Sequence, residues 1–146
     1  MTPEEVRKFC NECKRKLSEK GDVTFRAQTD GDKYLLIRTE HGYAVHYEWW
    51  IDRNNLIKVC LHFEVKNNPK LNKEYYDTCM AKIGYPPNDL IQGIQIQHGI
   101  RGKAKNWRHI TIQRPLSADV VSDTDVAWAV KMMQLLRKTF GDTFIK

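Results

Sequence analysis

The chain has 146 residues, 41% hydrophobic and 29% charged, enough for one domain with a real core and no disulfide staples. No apolar run approaches the ~20 residues of a membrane span, which argues against a helical membrane protein. An excess of 24 Lys and Arg over 18 Asp and Glu leaves a formal charge of +6, which permits nucleic-acid or acidic partners without requiring them.

The first ten residues, MTPEEVRKFC, carry charge where an export signal would be apolar, so a cytoplasmic protein is expected. Residues 3–20 predict an amphipathic helix, with Pro3 in its first turn and Gly21 past its end. Val6, Phe9, Cys10, Cys13 and Leu17 fall on one stripe. Cys10 and Cys13 form a CxxC inside that stripe. A redox pair would open a helix after a strand, and a zinc knuckle would need a second close pair, which Cys60 and Cys79 do not form. Both thiols are therefore read as core, reduced in a cytosolic setting.

Strands are expected at 23–29, 33–39, 43–51 and 56–66, an antiparallel meander punctuated by DGD, EHG and RNN. A one-residue slip would turn a strand's apolar set to the opposite face. Treating RNN as a three-residue loop with Asn55 in the left-handed conformation pairs Ile51 with Ile57, Trp49 with Val59, Tyr47 with Leu61 and Val45 with Phe63. The same reasoning at EHG, with Gly42 left-handed, pairs Ile37 with Val45 and Leu35 with Tyr47. At DGD it pairs Phe25 with Ile37 and Ala27 with Leu35. One face is then a hydrophobic wall that helices must cover.

After NNPKLN, a helix over 71–83 is expected to bury Leu71, Tyr75, Cys79 and Ile83. A second hairpin follows, 91–100 and 106–114, with Ile96 opposite Ile110 and Ile94 opposite Ile112. Trp107, His109, Thr111 and Gln113 take its other face. Ser122 and Asp123 open a last helix, 123–140, whose apolar stripe runs through Val126, Ala129, Val130, Met133, Leu136 and Phe140. The prediction is a single α+β domain over 1–146, order α-ββββ-α-ββ-α. Its curved antiparallel sheet carries the N- and C-terminal helices on one face. In layout this order resembles the small α+β chaperones that hold secreted effectors in bacteria. The resemblance is one of architecture alone: such chaperones are expected to be acidic, and this chain is basic.

Three constellations carry chemistry. On the polar face, the expected rows are Tyr34–Glu48–Cys60, Leu36–His46–His62 and Arg38–Ala44–Glu64. Opposed side chains lie ~5 Å apart, so His46 and His62, with Glu48 or Glu64, form a divalent-metal pattern of the hydrolase kind. The plainer reading is a solvated face with an Arg38–Glu64 ion pair and no metal. Second, Asp52 with Glu64-Val65-Lys66 spells the acidic-x-lysine string of metal-dependent nucleases. The register, however, puts Asp52 and Glu64 roughly 26 Å apart at ~3.3 Å per residue, so such a site would need another acid, such as Glu40. Third, Arg101, Lys103, Lys105, Arg108 and Arg114 cluster near Trp107 and His109, which suits phosphate contact and base stacking.

The expected function is a non-catalytic binding module without a cofactor. It acts through an uncovered sheet face anchored by Tyr34, Leu36 and Trp50, and through the basic hairpin (Arg101, Lys103, Lys105, Trp107 and Arg108). The partner is a protein, a second copy of the chain, or nucleic acid. The alternative is a metal-dependent hydrolase or nuclease using His46, His62, Glu48 and Glu64.

Overall fold

The computed structural model describes residues 1–20, 27–30, 34–83, 96–102, 105–141 and 144, with backbone alone for 27–30 and 34. The elements follow in the order α1 Pro3–Glu19, β1 Ala27–Asp30, β2 Tyr34–Thr39, β3 Gly42–Ile51, β4 Leu56–Phe63, α2 Pro69–Ile83, β5 Ile96–Arg101, β6 Trp107–Pro115 and α3 Asp123–Phe140. This is the expected α-ββββ-α-ββ-α fold. All six strands join one antiparallel sheet, in spatial order β1-β2-β3-β4-β6-β5. The second hairpin is thus a continuation of the meander, docked by β6 against the free edge of β4.

Local chemistry sets the helix ends. Thr2 caps α1 in a reciprocal capping box with Glu5, and Pro3 occupies the first turn. Ser122 and Asp125 form the same box at α3, which stops at Gly141 with φ +76°. The five predicted α1 residues, Val6, Phe9, Cys10, Cys13 and Leu17, are all buried. Burial pushes the Cys10 thiol up to about 12, and the Cys13 thiol well above its ordinary value. Both are therefore inert core groups, and Cys10 Sγ donates to the Trp49 carbonyl at 3.3 Å.

All three helices pack on the apolar face. Trp49 and Tyr47 of β3 are completely buried and anchor the sheet to the last helix. Trp49 Nε1 donates to the Ala129 carbonyl at 3.0 Å, and the Tyr47 hydroxyl donates to the Gly141 carbonyl. α2 starts at Pro69, not at Leu71, and buries Asn72, Tyr76, Cys79, Met80 and Ile83. Leu71 and Tyr75, expected in the core, are half-buried. Asn68 caps the earlier start, its side chain accepting from Leu71 N at 3.1 Å, and the helix packs through Asn72, Tyr76, Cys79, Met80 and Ile83.

The β3–β4 register is as expected: Val45 opposite Phe63, Tyr47 opposite Leu61, Trp49 opposite Val59 and Ile51 opposite Ile57, with Asn55 left-handed at φ +58°. The other registers differ by two residues. Ile37 lies opposite Tyr47 and Leu35 opposite Trp49, because β3 takes a wide bulge after a tight turn that brings Thr39 opposite Gly42. Residues 43–45 are the extra ones, and the Thr39 hydroxyl holds them by donating to the Val45 carbonyl at 2.7 Å. Ala27 pairs with Ile37 instead of Leu35, and Ile96 with Ile112 instead of Ile110. The expected positions of Val23, Phe25 and Ile94 lie outside the described residues.

Candidate functional site

Two cross-strand rows form the centre of the polar face. The first runs Arg38–His46–His62–His109 across β2, β3, β4 and β6, and the second Leu36–Glu48–Cys60–Thr111. The two-residue shift of β2 makes Arg38, not Leu36, the neighbour of His46, and gives Tyr34 to Trp50 instead of Glu48. The imidazoles of His46 and His62 meet edge to face at 5.2 Å between centroids, and His109 follows at 6.4 Å from His62.

This face is not open at its centre. Leu36, His46, Glu48, Cys60, His62 and Thr111 are all buried. The β5–β6 hairpin reaches over them: Arg101 ion-pairs with Glu64, places Nη1 3.0 Å from His62 Nδ1 and stacks its guanidinium 5.6 Å from the Trp107 ring. Glu64 is therefore the partner of Arg101, and the expected Arg38–Glu64 pair gives way to it. A cleft of about 360 Å³ remains, lined by Leu36, Tyr43, His46, Glu48, Glu64, Arg101 and Trp107. A wider cavity of about 750 Å³ shares Glu64, Arg101 and Trp107 and adds Lys66, Asn67, Gly102 and Asn106.

The electrostatics turn on His62. Its Nδ1 sits 2.8 Å from Glu48 Oε2 and 3.3 Å from Glu64 Oε2. Burial disfavours the imidazolium, but the Glu48 carboxylate and the Cys60 sulfur together outweigh burial and raise the pKa to about 9. For Glu48 itself, burial alone would raise the pKa, and the His62 charge turns the shift downward. His46 falls to about 4, first through burial and then through the positive charge of His62; His109 falls to about 4 for the same two reasons. Among the three imidazoles, the surroundings favour a positive charge on His62 and disfavour one on His46 and His109.

The tautomer of His46 follows from its partner. Its Nδ1 lies 2.7 Å from the Tyr43 carbonyl, which only accepts hydrogen bonds. A neutral His46 therefore carries its proton on Nδ1 and keeps a lone pair on Nε2. The bulge in β3 makes this possible by turning the Tyr43 carbonyl toward the ring three residues on.

The other predicted residues are placed as follows. Trp50 is half-buried beneath Lys58, whose Nζ lies 5.2 Å from the ring centroid. Arg108 stacks on Tyr76 at 5.6 Å, and Arg114 pairs with Asp125 at 3.0 Å. These two cations serve the fold. Trp107 and Lys105 are exposed, and Lys66 on the cleft rim is exposed as well. Lys103 and the side chain of Tyr34 lie outside the described residues. Asp52 closes its own turn, accepting from Asn54 N and Leu56 N, and pairs with Lys58 at 3.3 Å. Glu40 accepts from Phe144 N. Neither acid joins Glu64, so the nuclease string is not assembled.

Three contributors had little signal in the sequence. Tyr43 acts through its backbone carbonyl, which residue type does not advertise. Gly102, at φ +84°, leaves room for the Trp107 ring, which a Cβ there would meet at 3.2 Å. Asn72 is fully buried in α2 and ties the end of the meander to the hairpin: its Oδ1 accepts from Val65 N, and its Nδ2 donates to the carbonyls of Val65 and Asn106. A polar residue between apolar helix positions was its one hint.

Compared with known proteins, the chain matches no protein family, no curated protein and no solved structure. Among the described residues no helix is long and apolar enough to cross a membrane.

Proposed function

We propose that the protein is a non-catalytic binding module that takes a single-stranded nucleic acid along the cleft between the sheet and the β5–β6 hairpin. The observation that carries this reading is Trp107, an exposed aromatic lining both cavities, with Lys66 lining the wider one and the exposed Lys105 two residues before it in the hairpin loop. An exposed indole offers a stacking platform for a base, and flanking cations meet phosphates. The basic overall charge favours the same ligand. Of the residues first expected to anchor a protein partner, Leu36 is buried and Trp50 is half-covered by Lys58, which moves the weight from the sheet face to the hairpin.

The test is fluorescence anisotropy with a labelled single-stranded DNA and its RNA counterpart. Binding should weaken steeply with salt. Trp107→Ala should weaken it roughly tenfold, in line with about 1–3 kcal/mol per stacked base, and Lys66→Glu with Lys105→Glu should remove it. Absence of salt-dependent binding at low ionic strength sinks the reading. Self-association or a captured protein lost on Trp107→Ala, without oligonucleotide binding, would give the surface to a protein partner. The competing hydrolase reading draws on the His46–Glu48–His62 cluster. It separates in the same experiment, because bound oligonucleotide would be cut when zinc or manganese is added.

A further inference from the structure

We propose that the floor of the cleft is a binding site for one divalent transition-metal ion of the zinc class, held by His46 Nε2, a ring nitrogen of His62 and the Glu48 carboxylate. Among the described residues these are the three side chains whose ligating atoms all lie within 4.8 Å of one another. Each is at least nine-tenths buried, and His46 and Glu48 line a cleft that supplies an entry path.

Three features distinguish this cluster from a chance meeting of polar residues. The first is preorganisation. A metal-binding imidazole ordinarily donates its other N–H to a carbonyl or carboxylate, which fixes ring and tautomer. His46 makes that bond to the Tyr43 carbonyl at 2.7 Å. The second is an unmet acceptor. Glu48 Oε2 is buried and receives no hydrogen bond of good geometry; His62 Nδ1, 2.8 Å away, is its ion-pair partner. A metal ion between the two side chains would meet that oxygen directly and bind the imidazole nitrogen as well. The third is rigidity. His46 and Glu48 are two residues apart on β3, and His62 is directly opposite His46 on β4, all in the middle of the sheet.

The donor set chooses the metal. Two imidazoles and one carboxylate suit zinc, cobalt, nickel or ferrous iron and are a poor match for magnesium or calcium, which want oxygen. Charge is conserved in a simple way. Glu64 is already neutralised by Arg101, so Glu48 and His62 form the remaining pair. Where the coordinating nitrogen of His62 carries a proton, that proton leaves to solvent as the nitrogen–metal bond forms. The exchange adds one positive charge to a buried site. An anionic or water-derived fourth ligand from the cleft restores the balance.

The experiment uses tag-free protein stripped with a chelator, titrated with Zn²⁺ by calorimetry and with Co²⁺ by visible absorbance. One equivalent should bind, and Co²⁺ should show the d–d bands of a nitrogen–oxygen site without a thiolate charge-transfer band. Glu48→Gln, which preserves shape, and His46→Ala should each weaken Zn²⁺ by at least the roughly tenfold loss that follows removal of even an outer-shell partner. Should His46→Ala fail to fold, imidazole nitrogen shifts in the wild-type protein decide the matter. Zn²⁺ should move those of His46 and His62 and leave His98 in place. No binding at millimolar cation, a thiolate band, or unmoved His46 and His62 resonances would each overturn the proposal.

Discussion

Nδ1 of His62 on β4 lies 2.8 Å from Oε2 of Glu48 on β3, and both side chains are about 5% exposed. This pair sits one step diagonally across the sheet, since His62 is directly opposite His46 and Glu48 directly opposite Cys60. Removing one member strands the other as a buried charge, at a cost of about 3–5 kcal/mol. Glu48→Leu and His62→Leu should therefore each destabilise the metal-free protein by about 3 kcal/mol in urea titrations. The double variant should lose much less than the sum, because no charge remains unpaired. Additive losses would show that the two side chains do not act together.

Thr39 governs the bulge that shapes the site. Its hydroxyl donates to the Val45 carbonyl at 2.7 Å and accepts from His41 N at 3.2 Å. Thr39→Val keeps the volume and leaves both backbone groups unmet, so a loss of about 1–2 kcal/mol is expected. The informative readout is local. The Nδ1 proton of His46, held by the Tyr43 carbonyl, should exchange faster with solvent in the variant, while amides of α3 keep their protection.

Asn72 is the joint between meander and hairpin. Asn72→Ala removes the side-chain partner of the Val65 N–H and of the Asn106 carbonyl and leaves the Val65 carbonyl with Asn68 N at 3.4 Å, which should cost about 2–4 kcal/mol. Asn72→Asp should be worse, because carboxylate lone pairs would face two carbonyls that now receive N–H bonds. Hydrogen exchange should rise in β5 and β6 before it rises in β3.

Much of this architecture was legible because alternation reports which face a residue takes. Every residue assigned to the apolar wall in β3 and β4, from Val45 to Phe63, is buried. Alternation has a period of two, however, so it fixes parity and is blind to a slip of two residues. The registers of β1 on β2, β2 on β3 and β5 on β6 each differ from the expected ones by that amount. His46, Glu48 and His62 were found because they lie on the one hairpin whose loop length was also readable, RNN with Asn55 left-handed. The burial of their face was not legible. It depends on β6 docking beside β4 and carrying Arg101 and Trp107 over the row, a long-range pairing that no local pattern encodes.

Asp125 offers the test of acid stability. It is completely buried at the start of α3, receives hydrogen bonds from Ser117 N at 3.2 Å and Ser122 N at 3.0 Å, and pairs with Arg114 at 3.0 Å. Burial by itself would raise its pKa; the hydrogen bonds from Ser122 and Ser117 outweigh burial and hold the carboxyl below its ordinary value of 3.8. The unfolded chain therefore binds this proton more readily than the folded one. Its contribution is fully present above pH 3.8 and declines as pH falls from there through the folded-state pKa. Asp125→Asn keeps the shape, loses the charge and weakens the cap, so a loss of about 2 kcal/mol is expected at neutral pH. Denaturation of wild type and variant across an acid series should show a constant gap down to about pH 5 that narrows below pH 3.8. A gap that stays constant into strong acid would mean that the carboxylate charge contributes nothing, and that Ser122 alone caps the helix.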